Sequence, residues 1–185
     1  GTNCEIILGN GEKILATAAP AGPAFEAASI KCGVRAAAGA IETVKVVDGK
    51  LEIGTIDGAP AIGICGSGLV DAVACLVQLG ILDASGKFNE VDDPNLVERD
   101  GEKIYMLTED VFLSQRDVRE LQFAKAAIAT GWALLAEEFG IQDSEIQQVL
   151  LAGSFGSYLS PASAVKIGLV PKISVLRIVS AGNVA

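Results

Sequence analysis

Two turn dipeptides constrain the opening of this chain more than any other feature. Asn10-Gly11 lies between the apolar-rich segments Cys4 to Leu8 and Lys13 to Thr17, and Asp48-Gly49 lies between Thr43 to Val47 and Leu51 to Ile56. Asn-Gly and Asp-Gly suit tight hairpins because both turn residues tolerate positive φ. The chain therefore opens as an antiparallel meander. Between the hairpins, Pro23 is placed to start a short helix and Gly33 to end it, with Phe25, Ala28 and Cys32 on one face.

Further along, strands and helices alternate. A short apolar run meets Gly66-Ser67-Gly68, then a helix with Leu69, Val70, Val73, Leu76 and Val77 at helical spacing, stopped by Gly80. Residues 83–110 are polar and read as a surface insertion with a small hairpin. Ser114 and Asp117 form a capping-box pattern for a long helix. Its apolar stripe is Val118, Leu121, Ile128, Trp132, Leu135 and Phe139, and Gly140 ends it. Val149 to Ala152 is a strand running into Gly-Ser-Phe-Gly. Ser160-Pro161 opens a short helix closed by Gly168, and Ile173 to Val179 is a last strand interrupted by Arg177. No internal repeat is evident. The order predicts an α/β fold: a mixed sheet opening with an antiparallel meander, flanked by helices, in a single domain over 1–185.

Composition narrows the chemistry. The 185 residues are half hydrophobic and carry a formal net charge of −9, with no basic run. Nucleic acid needs a concentrated basic footprint and is not an expected partner. With no His, any chemistry must use carboxylates, hydroxyls, backbone amides or a bound metal-nucleotide. Cys4, Cys32, Cys65 and Cys75 form no CxxC pair, which suits reduced, buried thiols in a cytoplasmic protein and no metal site. No apolar run reaches the ~18 residues that a membrane span needs. Both ends read as cuts in a longer polypeptide.

Three glycine-containing turns stand at strand ends. Gly1-Thr2-Asn3 can bring amides and polar side chains to a phosphate, or be a ragged terminus. Gly66-Ser67-Gly68 opens a helix and can receive an anion, or be a tight turn with Ser67 as N-cap. Gly153-Ser154-Phe155-Gly156 can pass under a base or ribose, or simply reverse the chain. Glu26 is the carboxylate to single out: it can order a metal-bound water or a ribose hydroxyl, or be a first-turn charge favouring a helix dipole. Asp71, Asp117, Arg119 and Glu120 read as surface or capping charges.

In order along the chain, GTNCEIILGN, AAPAGPAFEAASIKCGVRAAAGAIE, CGSGLVDAVACLVQLGILD, DVRELQFAKAAIATG, VLLAGSFGSYL, IGLVP and GN resemble the C-terminal part of the reductive activators of corrinoid proteins. The resemblance implies the second lobe of an actin-like, ribonuclease-H-like ATPase module. It also implies a preceding first lobe and an N-terminal ferredoxin-like domain with a two-iron two-sulfur cluster, neither in this chain. Activity by resemblance is the ATP-driven, Mg-dependent reduction of a Co(II) corrinoid protein to Co(I), with a corrinoid protein or corrinoid-dependent methyltransferase as partner. Gly1, Thr2 and Asn3 resemble the tail of a phosphate loop, and Gly153, Ser154, Phe155 and Gly156 an adenosine loop. Gly66, Ser67 and Gly68, with Gly22, Phe25 and Glu26, resemble cleft-facing segments. Cys4, Ala27 and Ser154 stand where the family usually has Gly, and Ser154 bears most directly on nucleotide affinity.

Two rival readings fit the same architecture. A small-molecule kinase of the same architecture would transfer phosphate to a sugar or acid and would need an aligned acceptor and a base. A non-catalytic, nucleotide-regulated interaction module would bind without turnover. Alone, the chain is expected to bind ATP weakly, to lack turnover and to be capable of self-association as a homodimer through an exposed cleft wall.

Overall fold

The computed structural model describes residues Asn3 to Gly182; Gly1, Thr2 and residues 183–185 lie outside the description. The chain clusters into two compact units: one formed by the residues up to Gly22 together with those from Phe123 onward, the other by Pro23–Gln122.

In the first unit, β1 (Asn3–Gly9) and β2 (Ile14–Pro20) pair antiparallel in unbroken register from Asn3↔Pro20 to Gly9↔Ile14. The turn differs from the expected two-residue type. Neither Asn10 nor Gly11 takes positive φ. Instead the Asn10 side-chain oxygen accepts from the amides of Glu12 at 2.9 Å and Lys13 at 2.8 Å, so an Asx turn closes a longer loop. Helix α2 (Gln115–Phe139) crosses the unit boundary. Its Gly131 permits close approach to the hairpin, since a Cβ there would stand 2.5 Å from the Ile6 side chain. Gly140, at φ 81°, ends α2 as the sequence predicts.

The rest of this unit comprises β9 (Val149–Ala152), α3 (Gly153–Tyr158), α4 (Pro161–Lys166) and β10 (Ile178–Gly182), with β9 and β10 parallel. Ser160 caps α4, accepting from the Ser163 amide, and Gly168 follows at φ 71°. The last strand is shorter than predicted. Val175–Arg177 is a 3-10 turn, because the Ser174 side chain caps it and the Arg177 guanidinium reaches back to the carbonyls of Ser144 and Ile146.

The second unit contains β3 (Ala40–Val47), β4 (Lys50–Thr55) and β5 (Gly63–Ile64) in the order β4-β3-β5, antiparallel then parallel. Here the predicted turn forms: Asp48 and Gly49 both take positive φ, at 48° and 75°. The two hairpins belong to different sheets. Helix α1 (Gly66–Gln78) packs on β3, and Leu69, Val70, Ala72 and Leu76 are fully buried. Gly80, at φ 70°, follows its end.

A second sheet, β6 (Leu96–Arg99), β7 (Glu102–Met106) and β8 (Phe112–Ser114), carries the hairpin expected within 83–110. That segment is not wholly superficial: Phe88, Ile104 and Tyr105 are buried in it. The Ser114–Asp117 capping box forms. The Ser114 amide donates to Asp117 at 2.8 Å and the Asp117 amide to Ser114 Oγ at 3.1 Å.

The helix expected over residues 23–33 does not form. A 3-10 turn, Gly22–Ala24, gives way to a run of hydrogen-bonded turns, and Ala27 adopts φ 59°. The cause is tertiary. Gly33 sits so close beneath this turn that a Cβ on it would lie 1.9 Å from the Ala27 carbonyl oxygen. The segment is then stitched to β5, with the Ile64 amide donating to Cys32 and the Val34 amide to Ile64.

Candidate functional site

The turn at Gly66-Ser67-Gly68 is built for packing. Residues Gly66, Ser67 and Gly68 are all buried. A Cβ on Gly68 would lie 2.2 Å from the Ile41 carbonyl oxygen, so only glycine lets α1 approach β3 this closely. Ser67 is not the N-cap; Cys65 is, without a side-chain cap bond. Ser67 Oγ instead donates to the Glu42 carbonyl at 3.0 Å, next to the register break in β3 between Ile41 and Thr43. Asp71, expected at the surface, is buried one turn on and accepts from the Val44 amide at 3.3 Å. Asp117 is likewise buried, and besides capping α2 it accepts from the Lys31 amide at 2.9 Å.

The turn at Gly153 is of another kind. It is a helix start rather than a loop, with Ala152 as N-cap. Gly153 takes φ 86°, and among the described residues nothing stands within 4 Å of where its Cβ would be. Gly156 packs on the Leu151 backbone. Two hydroxyls hold the turn: Ser157 Oγ donates to the Gly153 carbonyl at 2.9 Å and Ser180 Oγ to the Gly156 carbonyl at 2.8 Å. Ser180 carried no distinguishing sequence signal, being a serine just past the predicted strand Ile173 to Val179. Phe155 is half-buried. The side chain of Ser154 lies outside the description.

Of the first predicted loop, Asn3 alone is described. It is exposed and opens β1 opposite Pro20. Cys4 beside it is half-buried, and burial together with the Glu5 charge raises its thiol pKa, which keeps it protonated near neutral pH. Gly22 takes φ 67° with open space on its Cβ side, Phe25 is half-buried and Glu26 is exposed on the turn that precedes Ala27. In the second unit, the bonds from Cys32 and Val34 to β5 bring the Pro23–Gly33 segment to the strand that feeds Gly66-Ser67-Gly68.

The first unit also has an open groove of about 640 Å³, lined by Trp132, Ala136, Glu137, Ile141, Asp143 and Lys172 among others. None of the predicted site residues lines it. Among the described residues, no group of three or more His, Cys, Asp or Glu side chains could hold a metal ion. No helix among them is long and apolar enough to cross a membrane.

Among the described residues, the Cβ side of Gly153 is therefore uncrowded, whereas that of Gly68 is filled by Ile41. The family model describing the C-terminal domain of RACo, the ASKHA domain, matches residues 1–185. The chain belongs to this family. Its fold is accordingly the actin-like ASKHA domain, mixed α/β, and ASKHA domains as a class bind nucleotide. The chain is 36% identical to the "Corrinoid activation enzyme RamQ" of Eubacterium limosum, over 99% of its own length and 34% of that protein's. It is 28% identical to the "[Co(II) methylated amine-specific corrinoid protein] reductase" of Methanosarcina barkeri, over 99% of its length and 36% of the relative's. A solved structure, "Reductive activator for corrinoid,iron-sulfur protein", superposes with a TM-score of 0.89 at 37% identity, covering 99% of this chain and 31% of that one. The chain thus spans about a third of the proteins it matches.

Proposed function

We propose that this chain is the second, nucleotide-binding lobe of an ATPase module in a cytoplasmic protein that uses ATP to drive reduction of a Co(II) corrinoid protein to Co(I). The observation that carries this reading is the full-length family match, together with relatives whose names specify corrinoid activation and Co(II) corrinoid reduction. The electron would come from a two-iron two-sulfur cluster elsewhere in the polypeptide, and the partner would be a corrinoid protein or corrinoid-dependent methyltransferase. Within this chain, Asn3 with Gly1 and Thr2 would serve the phosphates. Gly153, Ser154, Phe155 and Gly156 would lie along the adenosine. The open Cβ side of Gly153 supports the second assignment. Burial of Gly66, Ser67 and Gly68 gives those residues a supporting role, fixing α1 on β3.

Nucleotide supplies, when bound with Mg, a free energy that differs between two arrangements of the protein and so shifts their populations. Gly153 would contribute by letting backbone come close to a flat ligand, Gly156 by packing on the Leu151 backbone, and Ser157 and Ser180 by holding that backbone fixed. Taken alone, the chain would bind ATP weakly and turn none over.

The test uses the full-length protein, anaerobic, with its cluster reduced, mixed with a competent Co(II) corrinoid protein. Co(I), or its trapped methylated form, is expected in the visible spectrum only with Mg-ATP. ATP consumption without any change in cobalt redox state would overturn the proposal, and a stoichiometric phosphorylated product would establish a kinase instead.

A further inference from the structure

The groove in the first unit is a built feature, because each of its walls is held by a bond of its own. The Trp132 indole N–H donates to the Leu169 carbonyl at 3.3 Å, which fixes the ring. After Gly140, the Ile141 amide turns back to the Ala136 carbonyl at 3.0 Å. The Gln142 amide donates to the Glu145 carboxylate at 2.8 Å. The Arg177 guanidinium holds the Ser144 and Ile146 carbonyls, at 3.5 and 3.2 Å. The Ile173 amide donates to the Pro171 carbonyl and closes the turn that carries Lys172. The groove's volume of about 640 Å³ lies within the ~300–1,000 Å³ of small-ligand sites, which are largely pre-formed.

Its carboxylates are left available although cations stand close to them in the fold. Glu137 and Asp143 both line the groove, and neither carboxylate has a hydrogen bond or ion pair among the described residues. The neighbouring cations are engaged on other groups. Arg177 is bonded to carbonyls, and Lys13 donates to the Glu138 carbonyl at 3.2 Å and lies 5.2 Å over the Phe139 ring. Among the described lining residues, Lys172 is the one cation. The last turns of the 25-residue α2 form one wall, and the negative end of a helix dipole favours a cation. Trp132 adds the aromatic ring to which cations bind best. Of the basic side chains, arginine fits this set most fully, since its planar guanidinium both stacks on a ring and pairs with a carboxylate.

We propose that this groove is a docking site for an arginine side chain presented by a protein partner. The guanidinium lies against Trp132 and pairs with Glu137 and Asp143, while Lys172, on a separate turn, meets a carboxylate next to that arginine in the partner. A metal ion is the poorer occupant, because no group of three or more His, Cys, Asp or Glu side chains among the described residues could hold one. None of the residues assigned to the nucleotide lines the groove, so the inference does not depend on what the protein does with ATP.

Fluorine NMR of the full-length protein labelled with fluorotryptophan tests it, with Trp132→Phe assigning the Trp132 resonance. The probe is the acetylated and amidated peptide Gly-Arg-Asp-Gly. It is expected to shift that resonance saturably, and its neutral citrulline counterpart to bind at least about 10-fold more weakly. Glu137→Gln combined with Asp143→Asn should weaken the peptide by a similar factor and leave Tm unchanged, since neither carboxylate is bonded within the fold. No saturable shift, equal binding of the citrulline peptide, or unchanged affinity in the double variant would each overturn the proposal. Agmatine binding as tightly as the peptide would make the groove a site for a small cation and would overturn it equally.

Discussion

The helix start at Gly66 and the helix start at Gly153 differ in what their glycines are for. Both follow a short apolar strand and both open a helix. At Gly68 the missing Cβ is a packing device, because Ile41 fills the space a side chain would need. At Gly153 it is a conformational device, because the residue takes φ 86° while no described residue crowds the space beside it. The first turn is closed by a buried hydroxyl-to-carbonyl bond from Ser67, and the second is held from behind by Ser157 and Ser180 with its Cβ side open. An open turn and a packed turn can therefore share a sequence pattern, and what separates them is the density of atoms on the Cβ side.

The largest expected effect falls on the packed turn. Gly68→Ala should destabilise the full-length protein by about 3 kcal/mol, since a backbone carbonyl cannot move aside as a side-chain tip can. Chemical denaturation measures it, and a loss below about 0.5 kcal/mol would erase the distinction between the turns. Gly153→Ala should cost less, about 1 kcal/mol, arising only from holding an L-residue at positive φ. If both substitutions cost the same, packing does not distinguish the two glycines.

Ala27→Gly should go the other way and stabilise by about 0.5 kcal/mol, because glycine takes the left-handed conformation without strain. A destabilised Ala27→Gly variant would mean that the buried methyl contributes more than the strain costs.

The smallest effect is electrostatic, and it belongs to the second unit, where Lys31 meets Glu102. The Lys31 hydrogen bond is the largest cause holding the Glu102 carboxyl below its ordinary 4.5, and the same bond is the largest cause holding Lys31 above its ordinary 10.5. The Glu102 contribution is present above pH 4.5 and fades as pH falls through its lowered value. The Lys31 contribution is present below pH 10.5 and fades as pH rises through its raised value. Lys31→Met should flatten both ends of a Tm-versus-pH profile slightly, and an unchanged profile would show that the pair contributes nothing.

How much of this was legible in the sequence depended on whether the cause was local. Asp48-Gly49, the Ser114–Asp117 box and the stops at Gly80, Gly140 and Gly168 rest on contacts within a few residues, and all of them form. The helix expected over 23–33 failed because its fate is decided by Gly33 pressing on Ala27 and by β5 capturing Cys32 and Val34. Ser67 was legible as a polar residue at a helix start, but its partner is the Glu42 carbonyl, 25 residues away. The burial of Asp71 and the holding role of Ser180 are likewise products of tertiary packing. The family was legible because motifs spread over nearly the whole chain occur together and in order.

The most direct test of the central claim compares Mg-ATP affinity in three full-length proteins: the parent, Gly153→Ala and Ser67→Ala. Isothermal titration should show at least about a 10-fold weaker affinity for Gly153→Ala, equivalent to roughly 1.4 kcal/mol, and an unchanged affinity for Ser67→Ala, whose hydroxyl is engaged inside the fold. Weakening by Ser67→Ala with Gly153→Ala unaffected would contradict the account and place the nucleotide at the turn assigned here to packing.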